Sequence, residues 1–428
     1  MPDFAKALEQ LRPRRSGKRR SESDNPVSSL SRQLSFLKSH LPFLPSEPST
    51  IEGDEEVTAL GRHLVIRNSC DDAHYHGKVR LGRFAIADLQ RFMTLMKHSA
   101  MADNRDSIVF LDTETTGIQG GTGMVPFLVG IGYFKGDAFH TDQYFIRDFD
   151  EEPSMLLALS DILRRFNLLV TYNGMAFDVP LLETRFTMAR LSSPFTNLPH
   201  LDLLPGARRL WRNGHGSCRL IALEEKIVAF LRGPDIPGGM IPQTYFDFLK
   251  GKGVSVMASV LKHNLHDIVS LAALTVCACD RVSGIPAELD DPLDVYSLAR
   301  VMEHTTEWMR AVDYYELALR GELPQPFHSK ARENLVVLSR RAGNHGRALS
   351  LCEDLMNHAD FSMVGYESAA IHYERFEGDA HRALEIVERA MDRLKDIPTA
   401  NRRWLSALQS RRDRLMEKWG QTTLAPKI

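Results

Sequence analysis

The 428-residue chain predicts an α/β domain built on a mixed five-stranded sheet with helices on both faces, followed by an all-α region of repeated helices. Three observations carry this. Between residues 104 and 284, short apolar runs alternate with stretches whose apolar residues recur at helical spacing. Two of the runs, VPFLVGIGYF and AFHTDQYFI, are joined by the turn Lys135-Gly136-Asp137, a hairpin signal. From 291 to 420 only helical spacing remains, and it repeats.

Residues 1–50 form a basic, Ser/Pro-rich arm with seven Lys or Arg in the first twenty positions and one apolar patch, LSFLKSHLPFL. It reads as a largely disordered tail with a short anchoring helix, or as an arm for nucleic acid or a partner. Residues 51–103 form a small extension, where HLVIR and GKVRLG predict short strands. Cys70, Asp71, Asp72, His74 and His76 cluster there, but their spacing is a weak metal signal.

Residues 104–284 make the main domain. SIVFLD, the two hairpin runs, NLLVTYN and HLDLL supply the five strands. PSMLLALSDILRRF and MAFDVPLLETRFTMARL supply helices, and a long helical stretch ends at CDRV. Three antiparallel strands followed by strand–helix–strand units give a mixed sheet. In residues 291–420, WMRAVDYYELAL, HGRALSLCEDLM and AHRALEIVERAM align on Ala311, Ala348 and Ala383, at steps of 37 and 35 residues. That period resembles tetratricopeptide helix pairs and predicts a surface for a protein partner.

The net charge of −2 excludes an indiscriminate polyanion binder and an acidic solvating tail. Five cysteines without a CxxC pair point to a reducing compartment. No apolar run approaches the ~20 residues of a membrane helix, and the charged N-terminus lacks the apolar centre of a signal peptide. The expectation is a cytoplasmic protein with no membrane contact. No GxGxxG follows the first strand, which disfavours a dinucleotide-binding dehydrogenase.

Chemistry concentrates in acidic residues at the ends of apolar elements. Asp112-x-Glu114 closes the strand IVFL, and residues two apart on a strand share a face. Both carboxylates can therefore reach one pair of divalent cations, without which their repulsion would be costly. Asp178 follows the turn Asn173-Gly174 and begins a helix, where it can also simply complement the helix dipole. Asp267 opens an apolar stretch, where an unpaired charge is expensive, and His263 lies four residues before it on the same helix face. His263 is a candidate general base; His266 points about a quarter-turn away. Arg208, Arg209, Arg212 and Arg219 lie within twelve residues that contain no acid, with Trp211 among them. Such a strip can grip phosphate and stack a base, or it can be an exposed helix whose tryptophan is core.

FLDTETTG, TYNGMAFDVPLL and HNLHDIVSL resemble, in order, the three motifs of the DEDD 3′–5′ exonuclease superfamily with the ribonuclease H fold. More closely, residues 55–282 resemble the YprB-type ribonuclease H-like proteins, with HYHG, HLDLLPGARRLWR, CRLIALEE and DIPGGMIPQTYFDFL among the shared blocks. The resemblance implies two Mg²⁺ or Mn²⁺ ions per active site. Asp112 would be shared between them, Glu114 and Asp267 would complete one and Asp178 the other, while His263 acts on water. It implies a metal-dependent exonuclease on single-stranded or end-exposed DNA or RNA, with Asn173, Arg208, Arg209, Arg212 and Trp211 toward the nucleic acid. The third motif departs from the superfamily, having His at the four-residue position and Lys262 at the five-residue one. A structure-specific endonuclease and a non-catalytic nucleic-acid-binding adaptor are the competing expectations. The glycine-rich loop Ile118–Gly123, beside the first motif, is either a gate or a plain turn.

Overall fold

A computed structural model describes residues 50–98, 104–117, 123–284, 291–305, 307–358, 360–397 and 402–424. Nearly all of the N-terminal arm, and positions 118–122 of the glycine-rich loop, lie outside the described residues.

The central sheet has strands β1 Asp54–Thr58, β2 Gly61–Asp71, β5 Ile108–Thr115, β6 Pro126–Lys135, β7 Ala138–Phe145, β8 Leu168–Thr171 and β9 His200–Asp202. Their spatial order is β1-β2-β7-β6-β5-β8-β9. A separate two-stranded ribbon pairs β3 Tyr75–His76 with β4 Val79–Arg80. The five expected strands are present, but the sheet has seven. The extension donates β1 and β2, and β2 pairs antiparallel along the whole of β7, from Leu64 opposite Phe145 to Asp71 opposite Ala138. The physical reason is the edge: β7 would otherwise expose a row of unpaired backbone groups. HLVIR was legible as a strand, but its distant partner was not.

β5, β6 and β7 are antiparallel, and β8 and β9 run parallel to β5. Helix α1 Leu89–Leu95 precedes β5; α2 Glu152–Leu163 links β7 to β8; α3 Asp178–Met188 links β8 to β9. Then come α4 Leu203–His215, α5 Ile241–Leu249 and the 30-residue α6 Val254–Ser283. Alternation along β5 sorts the two faces. Ile108 and Phe110 pack with Ile268 and Leu271 of α6, while Val109 and Leu111 pack with Met155, Leu182 and Phe186 of α2 and α3.

Two glycines set how closely α6 lies on the sheet. A Cβ on Gly130 would sit 2.2 Å from Asn264 Oδ1, and one on Gly132 would sit 2.4 Å from Ile268 Cγ2. Both belong to β6 and share a face.

Beyond α6, helices α7 Pro292–Glu303, α8 Trp308–Arg320, α9 Gln325–Arg341, α10 His345–Asn357, α11 Met363–His372, α12 Ala380–Lys395 and α13 Arg402–Leu424 pack each on the next. Ala311, Ala348 and Ala383 are all buried between helices. The core on the α6 face continues into this region through Val295, Leu298 and Met302, as far as Leu335 and Leu338. α7 also rests on α4, where Asn213 Nδ2 donates to Ser297 Oγ at 2.9 Å and His215 Nε2 lies 3.0 Å from Asp294 Oδ2. Among the described residues, no helix is long and apolar enough to cross a membrane.

Candidate active site

The carboxylates meet at the C-terminal end of β5. Asp112 and Glu114 project from one face of the strand toward α6. Asp112 accepts a hydrogen bond from Asn264 Nδ2 at 2.9 Å, and Gln143 Nε2 donates to the Oδ1 of the same asparagine at 2.9 Å. Gln143 thus fixes which end of the Asn264 amide faces Asp112. Gly130, opposite Asp112 in the β5–β6 register, leaves the room for that asparagine.

Asp178 starts α3 beyond the end of β8. Its carboxylate is buried and accepts from Thr113 Oγ1 at 2.5 Å, so the residue between the two strand acids ties the second element to the first. The turn before it is built by Asn173, which takes a left-handed φ of 65°, and by Gly174, where a Cβ would meet Thr171 Oγ1 at 2.5 Å. Asp202 clamps the turn, accepting from the backbone N–H of Asn173 at 2.7 Å and of Met175 at 3.2 Å.

Asp267 and His263 come from one face of α6. His263 Nε2 lies 3.4 Å from Asp267 Oδ2 and 3.9 Å from Glu114 Oε1. Among the described residues, Glu114, His263 and Asp267 are the one group of three or more side chains placed to share a metal ion.

Electrostatics binds the four acids into one unit. Burial, followed by the charges of Asp267, Asp178 and Glu114, pushes the Asp112 carboxyl well above the usual range. Burial, Asp267 and Asp178 do the same to Glu114. Asp178 is raised to about 6, chiefly by burial, against the lowering effect of the Thr113 hydrogen bond. Carboxylates packed this way cannot all ionise cheaply without cations among them, which is the chemistry of a divalent-metal donor set.

The sequence did not reveal a buried arginine beside them. Arg232 pairs with Asp267 and Glu224, and its Nη1 donates to Asp235 at 3.0 Å. Burial alone would weaken its proton, but the Glu224 hydrogen bond and the Asp267 charge outweigh that and hold it charged. Asp235 also lies 2.9 Å from His263 Nδ1. A hydrogen on Nδ1 donated to Asp235 would leave Nε2, the atom facing Glu114 and Asp267, as the free lone pair; Arg232 Nη1 also lies 3.2 Å from that Nδ1. Arg232 and Asp235 sit in LRGPDIPGG, a Gly/Pro-rich loop that offers no periodicity to read. The glycine pair in β6 was an available signal, since glycine inside a strand marks a close approach.

His266 turns away from the acids and stands edge-on to Phe230, 5.1 Å between ring centres. The Cys70–His76 cluster does not gather into a metal site. His76 stacks on Phe230, its Nε2 lies 2.7 Å from Ser270 Oγ, and burial lowers it to about 3.

The arginine strip divides. Arg208, Arg212 and Arg219 line a cleft of about 530 Å³ together with Asn173. Arg209 points elsewhere, donating to the carbonyl of Met96 at 3.2 Å. Trp211 is only 3% exposed and packs in the core of the α6 face, so it presents no ring for base stacking; helical spacing put the apolar side of α4 inward.

Residues 109–279 match the family model described as RNase_H superfamily. This segment is a ribonuclease H-superfamily domain. It holds all four converging carboxylates. The chain is also 27% identical over 352 residues to an uncharacterized protein, YprB, of Bacillus subtilis (strain 168). That similarity covers 79% of this chain and 83% of YprB, so it extends past the ribonuclease H-like domain into the helical region.

Proposed function

We propose that the protein is a divalent-metal-dependent nuclease of the DEDD 3′–5′ exonuclease type, acting on single-stranded or end-exposed DNA or RNA. The observation that carries the reading is the coupling of Asp112, Glu114, Asp178 and Asp267 at one strand end, with His263 Nε2 directed into them. Asp112, Glu114 and Asp267 are the residues to hold one Mg²⁺ or Mn²⁺, and Asp112 with Asp178 a second. A metal pair supplies positive charge for the attacking and leaving oxygens of an in-line phosphodiester displacement.

The protein's own part is orientation. Asn264 and Gln143 hold Asp112, Thr113 holds Asp178, and Arg232 holds Asp267. His263, steadied by Asp235, takes a proton from the attacking water at Nε2. Arg208, Arg212 and Asn173 receive the approaching strand, and among the described residues no acidic side chain lines their cleft. The C-terminal helices, read as tetratricopeptide-like, offer a surface for a protein partner.

The test is cleavage of a 5′-labelled linear single strand against its circularised form, with Mn²⁺ or Mg²⁺. An exonuclease produces a ladder from the linear strand and leaves the circle intact. Cutting of the circle replaces this reading with an endonuclease. Metal-dependent thermal stabilisation with neither substrate cut replaces it with a binding adaptor.

A further inference from the structure

The arginine cleft does not end at the ribonuclease H-like domain. Arg208 lines it and also lines a second cleft of about 550 Å³, whose far wall is α7, the first helix of the C-terminal region. The second cleft gathers Lys97, Arg209, Arg300 and His304 around Arg208. Among the described residues, no Asp or Glu lines either cleft, although acids outnumber bases in the whole chain, 55 against 53. Lys97, Arg208, Arg212 and Arg219 have no side-chain ion pair with the described residues, so their charge faces the clefts unspent. Arg300 lies 3.9 Å from Glu303 and makes only long contacts, of 3.5 Å to the Tyr296 hydroxyl and 3.4 Å to His304. At the other end, the first cleft reaches Asn173, in the turn that carries Asp178.

We propose that these two clefts form one track for a single-stranded nucleic acid, entering at the carboxylates and running over Arg208 to Lys97, Arg300 and His304. This rests on the nuclease reading and extends it. α7 becomes a wall of the substrate site rather than only the start of a partner-binding region. Six cations spread along two clefts that share Arg208 suit a polyanion of several phosphates, not a single anion. Beside the cations the clefts present Leu204 and Leu220, then Tyr296 and Phe327, apolar surface that suits a strand whose bases are free of a duplex. The track also gives a physical reason for the continuous core between the two regions: a rigid joint keeps α7 in register with the active site.

The experiment uses the full chain with Ca²⁺ replacing the catalytic metal. Binding of fluorescent single strands of about five and about twenty nucleotides is followed by anisotropy across a salt series. The wild type is expected to prefer the longer strand. Arg300→Glu and Lys97→Glu should each reduce that preference about tenfold, and lower the salt slope by about 0.7 for each phosphate no longer neutralised. Lys97 is exposed, so its variant keeps the test decisive should Arg300→Glu fail to fold. Wild-type affinity and slope in both variants overturn the track. So does competition by polyglutamate equal to that by the oligonucleotide, which would mark an acidic protein as the occupant. Cleavage in Mn²⁺, measured alongside, separates the two readings. A wild type that binds long strands through these cations but cuts nothing keeps the track and loses the nuclease. Cleavage with unaltered variants does the reverse.

Discussion

At the scale of single residues, the site is a set of charges that the fold keeps close at a cost. Asp178 is raised to about 6, so the folded protein retains a proton there after the unfolded chain, near 3.8, has lost it. Its contribution to stability is therefore full below about pH 4 and is lost as pH rises through about 6. Without metal, Asp178→Asn should gain roughly 1–3 kcal/mol over the wild type at pH 7.5 and little at pH 4, as read by denaturant unfolding. An asparagine can still accept from Thr113, so the gain reports charge rather than packing. Asp235→Asn tests a positioning role. It should lower kcat about ten- to a hundredfold with little change in KM, because it releases the His263 ring without touching substrate. A change confined to KM would contradict that. The four acids were legible in the sequence because each ends or opens an apolar run, where solvation is no explanation. Arg232 and Asp235 were not, because their partners Asp267 and His263 lie in α6, 35 and 28 residues away, and only the fold closes that distance; Glu224 joins them through Arg232.

At the scale of elements, the strand–helix contact between β6 and α6 decides whether the acids converge at all. A methyl group on Gly130 would overlap Asn264 Oδ1, the atom Gln143 holds, and so would push on the amide that donates to Asp112. Gly130→Ala should cost about 1–3 kcal/mol, the usual range for overpacking, and lose most metal affinity as measured by calorimetric titration. Wild-type metal binding in that variant would detach the β6–α6 contact from the site. The hairpin, the parallel β8–β9 pair and the helix carrying His263 and Asp267 all followed from periodicity and turn residues. The two added strands did not, because strand pairing across about 75 residues leaves no local trace. Trp211 shows the same limit: its neighbours advertise a basic strip, but its place on the inner face of α4 puts it in the core.

At the scale of the whole molecule, the ribonuclease H-like domain and the helical region share one apolar core, together with the polar contacts of Asn213 and His215 on α7. Ending the chain at residue 284 would uncover the face of α4 on which α7 rests. The truncated protein should unfold at a lower temperature and less cooperatively than the full chain, by calorimetry. An unchanged transition would mean that the shared core contributes nothing to stability. The charge balance also makes sense only at this scale. Residues 104–284 carry 17 bases and 19 acids, and four of those acids are the proposed metal ligands. Two divalent cations would turn the domain from −2 to +2, so attraction to phosphate depends on the metals being bound. The most direct measurement is therefore a side-by-side Mn²⁺ cleavage assay of the wild type and Asp112→Asn, purified identically, on a labelled single strand. The account predicts a metal-dependent ladder from the wild type that EDTA abolishes, and a loss of at least about a thousandfold in the variant. Equal cleavage by both proteins would contradict it.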